Sequence, residues 1–159
     1  MGTDDRPRAF VPDDFAVPRE LVTEEFRLEP LGPQHNADDY EAWMSSIDHI
    51  RATPGFDGGG SWPDPEMTSE QNLGDLRRHA DDFARRRGFT YTVLEGGSGR
   101  VIGCVYIYPS KDADGAADVS SWVRADRAGL DVAVHNAVSA WLEDAWPFAA
   151  VSYAPRTES

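Results

Sequence analysis

Cysteine is almost missing from this chain: Cys104 is the single one among 159 residues. A lone thiol excludes an intramolecular disulfide and cannot complete a thiolate metal site. The four histidines, His35, His49, His79 and His135, show no ligand spacing either. Basic residues are scarce. Fifteen Lys and Arg face 28 Asp and Glu, a net charge of -13, so the chain lacks the basic surface that attracts nucleic acid or an anionic membrane. No apolar run approaches a membrane span, and the polar start Met1-Gly2-Thr3-Asp4-Asp5 has no apolar signal-peptide core. Internal repeats, low-complexity tracts, a serine nucleophile elbow and a glycine-lysine phosphate loop are absent too. These exclusions leave the expectation of a soluble, cytoplasmic protein of one domain, long enough to bury a core unaided.

What is present starts with residues 1–25, where Pro7, Pro12 and Pro18 and several acids surround isolated Phe10, Val11 and Phe15. Without periodicity this reads as an irregular arm ahead of a single domain over 26–159. Alternation predicts a strand over 25–31. Tyr40, Trp43, Met44, Ile47 and Ile50 then recur at helical spacing, with Asn36 or Asp38 as cap. Residues 51–67, rich in Gly and Pro, form a loop carrying Trp62, a large aromatic suited to plugging the core or walling an acceptor pocket. Thr68 to Gln71 has a capping-box pattern, and the helix it opens should stop at Arg85-Arg86-Arg87-Gly88.

Two β-rich runs, 89–95 and 100–108, flank Gly96-Gly97-Ser98-Gly99 and predict an antiparallel hairpin. The strongest local signal follows. Asp118 to Val123 reads as a strand, 124–130 as a tight basic loop with Arg124 and Arg127, and Asp131 to Ala145 as an amphipathic helix N-capped by Asp131. A last strand over 149–153 should run parallel to the 118–123 strand through a right-handed crossover. The sum is an α+β domain with a mixed, mostly antiparallel sheet and helices on both faces. If the sheet ends at 149–153, that edge needs a cover, and a homodimer suits it better than the N-terminal arm, whose prolines cannot donate to a ladder.

This order, with the runs Val101-Ile102-Gly103-Cys104-Val105 and Asp118-Val119-Ser120-Ser121-Trp122-Val123 and the Trp146-Pro147-Phe148 turn, resembles the GNAT superfamily of N-acetyltransferases over roughly residues 24–154. The resemblance implies a GNAT-like fold and acetyl transfer from acetyl-CoA, as co-substrate, to a small-molecule or N-terminal amine. It implies that the 101–105 and 118–123 strands splay to admit the pantetheine arm. Cofactor contacts then fall on Trp122, Val123, Arg124, Arg127, Gly129 and Ala133. The family's loop motif, Arg or Gln, two residues, Gly, one residue, then Gly or Ala, is only partly kept. Ala128 to Ala133 matches at Ala133 alone, and Arg124 to Gly129 keeps its first and last members. Asp131 places a carboxylate where phosphates would approach.

Acetyl transfer needs a group to take the ammonium proton and another to protonate the leaving thiolate. By the resemblance Asp118 is the candidate base and Tyr153 the candidate acid, with Tyr106, Tyr108, Ser120, Ser121 and His49 as bystanders able to line a pocket. The chain ends at Ser159, short of the helix and strand that the family usually adds. A degenerate loop and a short end also fit a GNAT-like domain without acyl-CoA activity that serves as a binding or assembly module.

Overall fold

The computed structural model describes residues 9–156. The polar start, the first eight residues of the expected arm and the chain end at Ser159 lie outside them. The sheet has six strands in sequence order, β1 (Leu21–Val22), β2 (Phe26–Pro30), β3 (Phe89–Glu95), β4 (Val101–Pro109), β5 (Ala116–Val123) and β6 (Ala150–Tyr153). All neighbours are antiparallel except β5 and β6, which are parallel. The helices are α1 (Asn36–Met44), α2 (Ile47–Arg51), α3 (Ser69–Ala84) and α4 (Asp131–Ala145). Among the described residues no helix is long and apolar enough to cross a membrane.

Alternation along the strands sorts side chains into two cores. On one face Cys104, Trp122 and Leu94 pack with Trp43, Ile50 and Leu76 of the first three helices. On the other, Val105, Ile107, Val119 and Val123 pack with Val134, Val138, Trp141 and Leu142 of α4. The sheet is therefore covered on both sides, as an α+β reading requires. The N-terminal segment belongs to the α4 face: Val11 is buried, Phe10 stacks on Phe89 and Phe148, and Phe15 meets Trp146. Leu21 and Val22 pair with β2, so a short strand lies inside the segment expected to be irregular. Among the described residues the arm supplies the β1 edge of the sheet, and none pairs with the outer edge of β6.

Two local expectations change. The single helix over 36–50 breaks at Ser45-Ser46, because the Ser46 hydroxyl turns inward to accept from the Ala125 amide at 2.9 Å. The stop of α3 is made at Arg86 (φ 62°) rather than at Gly88. Arg86 N–H donates to Phe83 O and Arg87 N–H to Asp82 O, a Schellman pair that needs a left-handed residue. The Arg86 guanidinium holds that conformation by donating to Pro12 O at 2.7 Å and Phe15 O at 2.8 Å. Gly88 serves another end: a Cβ there would lie 2.2 Å from the Tyr108 ring. The capping box at Thr68 forms as read, with reciprocal bonds to Gln71 of 2.8 and 3.1 Å.

The strands expected to splay do not. β4 and β5 pair without interruption from Gly103↔Val123 to Pro109↔Ala117. A Cβ on Gly103 would lie 2.3 Å from Trp122 O, so glycine is what lets the two backbones close. Gly103→Ala should cost about 1–3 kcal/mol by overpacking, seen as a drop in melting temperature of several degrees.

Candidate functional site

The sheet opens one strand further along. β6 pairs with β5 only from Ala116↔Ala150 to Val119↔Tyr153. Beyond that register Ser120 to Val123 continue β5 without a β6 partner, leaving a wedge beside the N-terminus of α4. Into this wedge reaches Arg156, whose side chain is almost fully buried. Its guanidinium donates to Ser121 O at 2.8 Å and Ala154 O at 2.9 Å, and its Nε donates to the Asp131 carboxylate at 2.7 Å. Asp131 is the first residue of α4 and caps no amide; its oxygens belong to Arg156 instead. That corrects its reading as an N-cap. A buried pair of this kind balances a desolvation cost against Coulomb attraction, and it stays put because either partner alone would be an uncompensated charge.

The basic loop is wound into a 3-10 turn over Ala125–Leu130. Arg124 is buried and forks onto Glu41, with its Nε donating to Asp126 at 3.1 Å. Arg127 pairs with Glu95. Both guanidiniums are thus satisfied by carboxylates of the chain itself. Trp122 and Val123 point into opposite cores, so only their backbones border the wedge. Gly129 is exposed with open space about it, and Ala133 packs on the α4-side core.

Tyr153 lies at the throat of the wedge. Its hydroxyl is 2.5 Å from Ser121 Oγ, its ring is 4.2 Å from that of His135, and burial pushes its pKa up to about 12, so it is a protonated donor. Asp118 is exposed and lies opposite Tyr108 and Ser152 in the register. It shares the α1–α3 face of β5 with Ser120 and Trp122, whereas Tyr153 shares the α4 face with Val119 and Ser121. The candidate acid and base therefore flank the wedge from opposite faces of the sheet.

On the α1–α3 face lies a cavity of about 330 Å³ lined by residues that include Asp39, Trp62, Asp64, Asp75, His79 and Tyr106. Trp62 forms its wall and also packs on Trp43 and Trp122, so it both plugs the core and lines a pocket. Tyr106 joins cavity to wedge: it lines the cavity, accepts from Trp122 Nε1 at 3.0 Å and faces Ser120 across the ladder. His49, by contrast, lies away from both on α2, its Nε2 buried without a partner.

Nothing in their spacing or neighbours marks Asp39 and His79 as site residues. Asp39 is buried at 4 % exposure, and its Oδ2 accepts from Asn72 Nδ2 at 3.1 Å. Asn72 is itself oriented by Trp43 Nε1 and Asn36. Burial pushes the Asp39 carboxyl up to about 6 against the lowering effect of that hydrogen bond. Burial drives His79 the other way, to about 4, helped by Arg78. Tyr108 donates to Asp82 at 2.9 Å, so its oxygen accepts from His79 Nδ1 at 2.9 Å, and the proton sits on Nδ1. Among the described residues no cluster of His, Cys, Asp and Glu is placed to hold a metal ion.

These two groups oppose each other in the pH dependence of stability. The raised Asp39 pKa makes a contribution that is full below about 4 and lost as pH rises through about 6; the depressed His79 pKa makes one that is present above 6.5 and lost as pH falls through about 4. Each amounts to about 3 kcal/mol by the linkage relation, as an order of magnitude. Asp39→Asn should therefore raise the melting temperature at pH 7.5, by about 1–3 kcal/mol in stability, and give no gain at pH 4.5. Thermal melts of both proteins across that range check it; an equal gain at both ends would deny Asp39 its buried charge.

No protein-family model matches the chain, and no curated protein matches it in sequence. Solved structures do match in shape. The ribosomal-protein-S5-alanine acetyltransferase from Vibrio fischeri superposes with a TM-score of 0.61 at 15% identity, over 77% of this chain and 66% of that one. The microcin C7 self-immunity acetyltransferase MccE, solved with acetyl-CoA and AMP, gives 0.60 at 15% identity over 77% and 63%. An acetyltransferase from Salmonella typhimurium that modifies the N-terminal serine of ribosomal protein L7/L12 gives 0.62 at 10% identity over 80% and 69%. The chain thus spans a little under two thirds of the length of the first two. With its mostly antiparallel sheet, its single parallel pair at β5 and β6 and helices on both faces, the chain has the fold of the GNAT acetyltransferases.

Proposed function

We propose that the chain is an acetyl-CoA-dependent N-acetyltransferase acting on an amine. The observation that carries this reading is the parallel pair that opens after Val119 and Tyr153, leaving the β6-side edge of β5 from Ser120 to Val123 without a strand partner. An extended pantetheine arm can pair with such a backbone as an added strand would. The exposed turn at Ala128-Gly129 and the start of α4 then face the diphosphate, with Arg124 and Arg127 nearby. The structures of MccE with acetyl-CoA and of RimL with coenzyme A, two chains of similar shape, support a CoA site in this fold.

The chemistry assigned to the wedge is short. The amine nitrogen attacks the thioester carbonyl carbon, the C–S bond breaks, the thiolate takes the Tyr153 hydroxyl proton, and the proton lost by the new amide nitrogen restores the Tyr153 hydroxyl by way of solvent. Asp118, two residues from Ser120 on the acceptor-side face, takes the proton shed by the ammonium, directly or through water. A thioester lying in the plane of the sheet is reached from both faces, which is why acid and base on opposite sides suit it.

A second reading has its own observation. Arg156 already donates to Ser121 O, and its partner Asp131 sets a carboxylate at the start of α4. Both stand where the cofactor would pair, and a GNAT-shaped binding module would keep them in place. Titration calorimetry separates the two. Acetyl-CoA should bind the natural chain, and should bind at least about tenfold more tightly once Asp131→Asn and Arg156→Gln remove both charges together, since tenfold is only about 1.4 kcal/mol of relieved competition. Absence of binding in both proteins would favour the module.

A further inference from the structure

The cavity on the α1–α3 face holds two acceptor atoms that the chain leaves unspent. Asp39 Oδ2 takes the Asn72 amide, but Oδ1 has no hydrogen-bond partner among the described residues and is not sealed from solvent. His79 Nδ1 is committed to Tyr108 and Thr90, each at 2.9 Å, which leaves the Nε2 lone pair open. The buried carboxylate is costly to retain, since transfer of an ionised group out of water is repaid only by a partner. Within the cavity no cation meets it: Arg78, also in the lining, is exposed and pairs with Asp75 at 3.5 Å. Trp62 and Tyr106 supply aromatic surface, and Asp64 adds a further carboxylate to the lining. A ligand that satisfies this set must donate hydrogen bonds, carry positive charge and present an apolar stem. The volume of about 330 Å³ suits a small organic molecule.

We infer that this cavity is a binding site for a primary ammonium on a short alkyl chain, held by Asp39 Oδ1 and His79 Nε2 against the aromatic wall that Trp62 and Tyr106 form edge to face at 6.5 Å. An ammonium brings three donors to two acceptors, and aromatic faces attract cations that have lost their water. The net charge of -13 draws cations toward the molecule at low salt. That this cation is also the acetyl acceptor rests on the function proposed above; the binding itself does not.

Titration of the full chain with butylamine, 1,4-diaminobutane and 1-butanol, without any acyl donor, tests the site. Both amines should bind saturably with one site, the diamine more tightly through Asp64, since Asp75 is paired with Arg78, and the isosteric alcohol should not bind. Affinity should fall about tenfold between pH 7.5 and pH 5 as Asp39 gains its proton. The groups facing Asp39 are His35 ahead of α1, Asn72, Asp75 and His79 on α3, and Cys104 and Tyr106 on β4. Asp39→Asn should weaken amine binding at least about tenfold at pH 7.5 and flatten the pH profile, and this variant should fold, being the more stable protein there. Asp64→Asn, at the cavity rim, should erase the advantage of the diamine over the monoamine. No saturable heat with either amine up to about 10 mM, or equal amine affinity in Asp39→Asn, overturns the inference. Amine binding without acetyl-CoA binding would uphold it while removing acetyl transfer, and acetyl-CoA binding without amine binding would do the reverse.

Discussion

Strand β5 leaves only Asp118 exposed, and the rest of the molecule is arranged around that fact. Its odd residues from Ala117 to Val123 feed the α4-side core, except for Ser121, which meets Tyr153; Trp122 fills the opposite core. One edge is zipped to β4 along its length, which Gly103 alone makes close enough. Only on the other edge, past Val119, is there unpaired backbone, because β6 is too short to follow. A strand so fully committed has one place left for chemistry. Asp118 and Tyr153 flank the start of that open edge, and Tyr106, one cross-strand step away, links it to the cavity.

The charges buried around this strand follow one rule, which is that an ion taken out of water must find a counter-ion or lose its charge. Arg156 finds Asp131, and Arg124 finds Glu41 and Asp126. His79 takes the other route and stays neutral. Asp39 does neither fully, for among the described residues its only side-chain donor is the neutral amide of Asn72. Such a carboxylate spends stability for a purpose other than the fold, in keeping with the tendency of functional sites to hold groups a stability optimum would discard.

Much of the fold was legible because it is local. The strand from Asp118, the stripe of α4, the capping box at Thr68 and the hairpin over Gly96 to Gly99 each rest on residues within a few positions of one another. What escaped rests on distant partners. Ser46 breaks the first helix to reach Ala125, and Asp131 gives up capping for Arg156. Arg86 replaces Gly88 as the helix stop because carbonyls of the arm lie ready for its side chain. The expected opening between β4 and β5 was one strand out, since pairing partners are set by the whole sheet. The cavity was the least legible feature. Its acceptors come from α1 and α3 and its walls from a loop and β4, and nothing in the spacing of Asp39 and His79 ties them together.

The Arg86 clasp bears on the order in which the molecule assembles. Its two bonds join residues separated by 74 and 71 positions, and its acceptors exist in place only once the arm lies against Phe89 and Trp146. Contacts of such long separation carry a large closure entropy and are rewarded late. On separation alone, the local contacts of α3 and of the β3–β4 hairpin should come first, with the arm laid down on a surface already made. Interactions absent from the transition state act on the unfolding rate alone. The arm is thus a kinetic lock: it does little to speed folding, and it lengthens the time the folded chain stays closed.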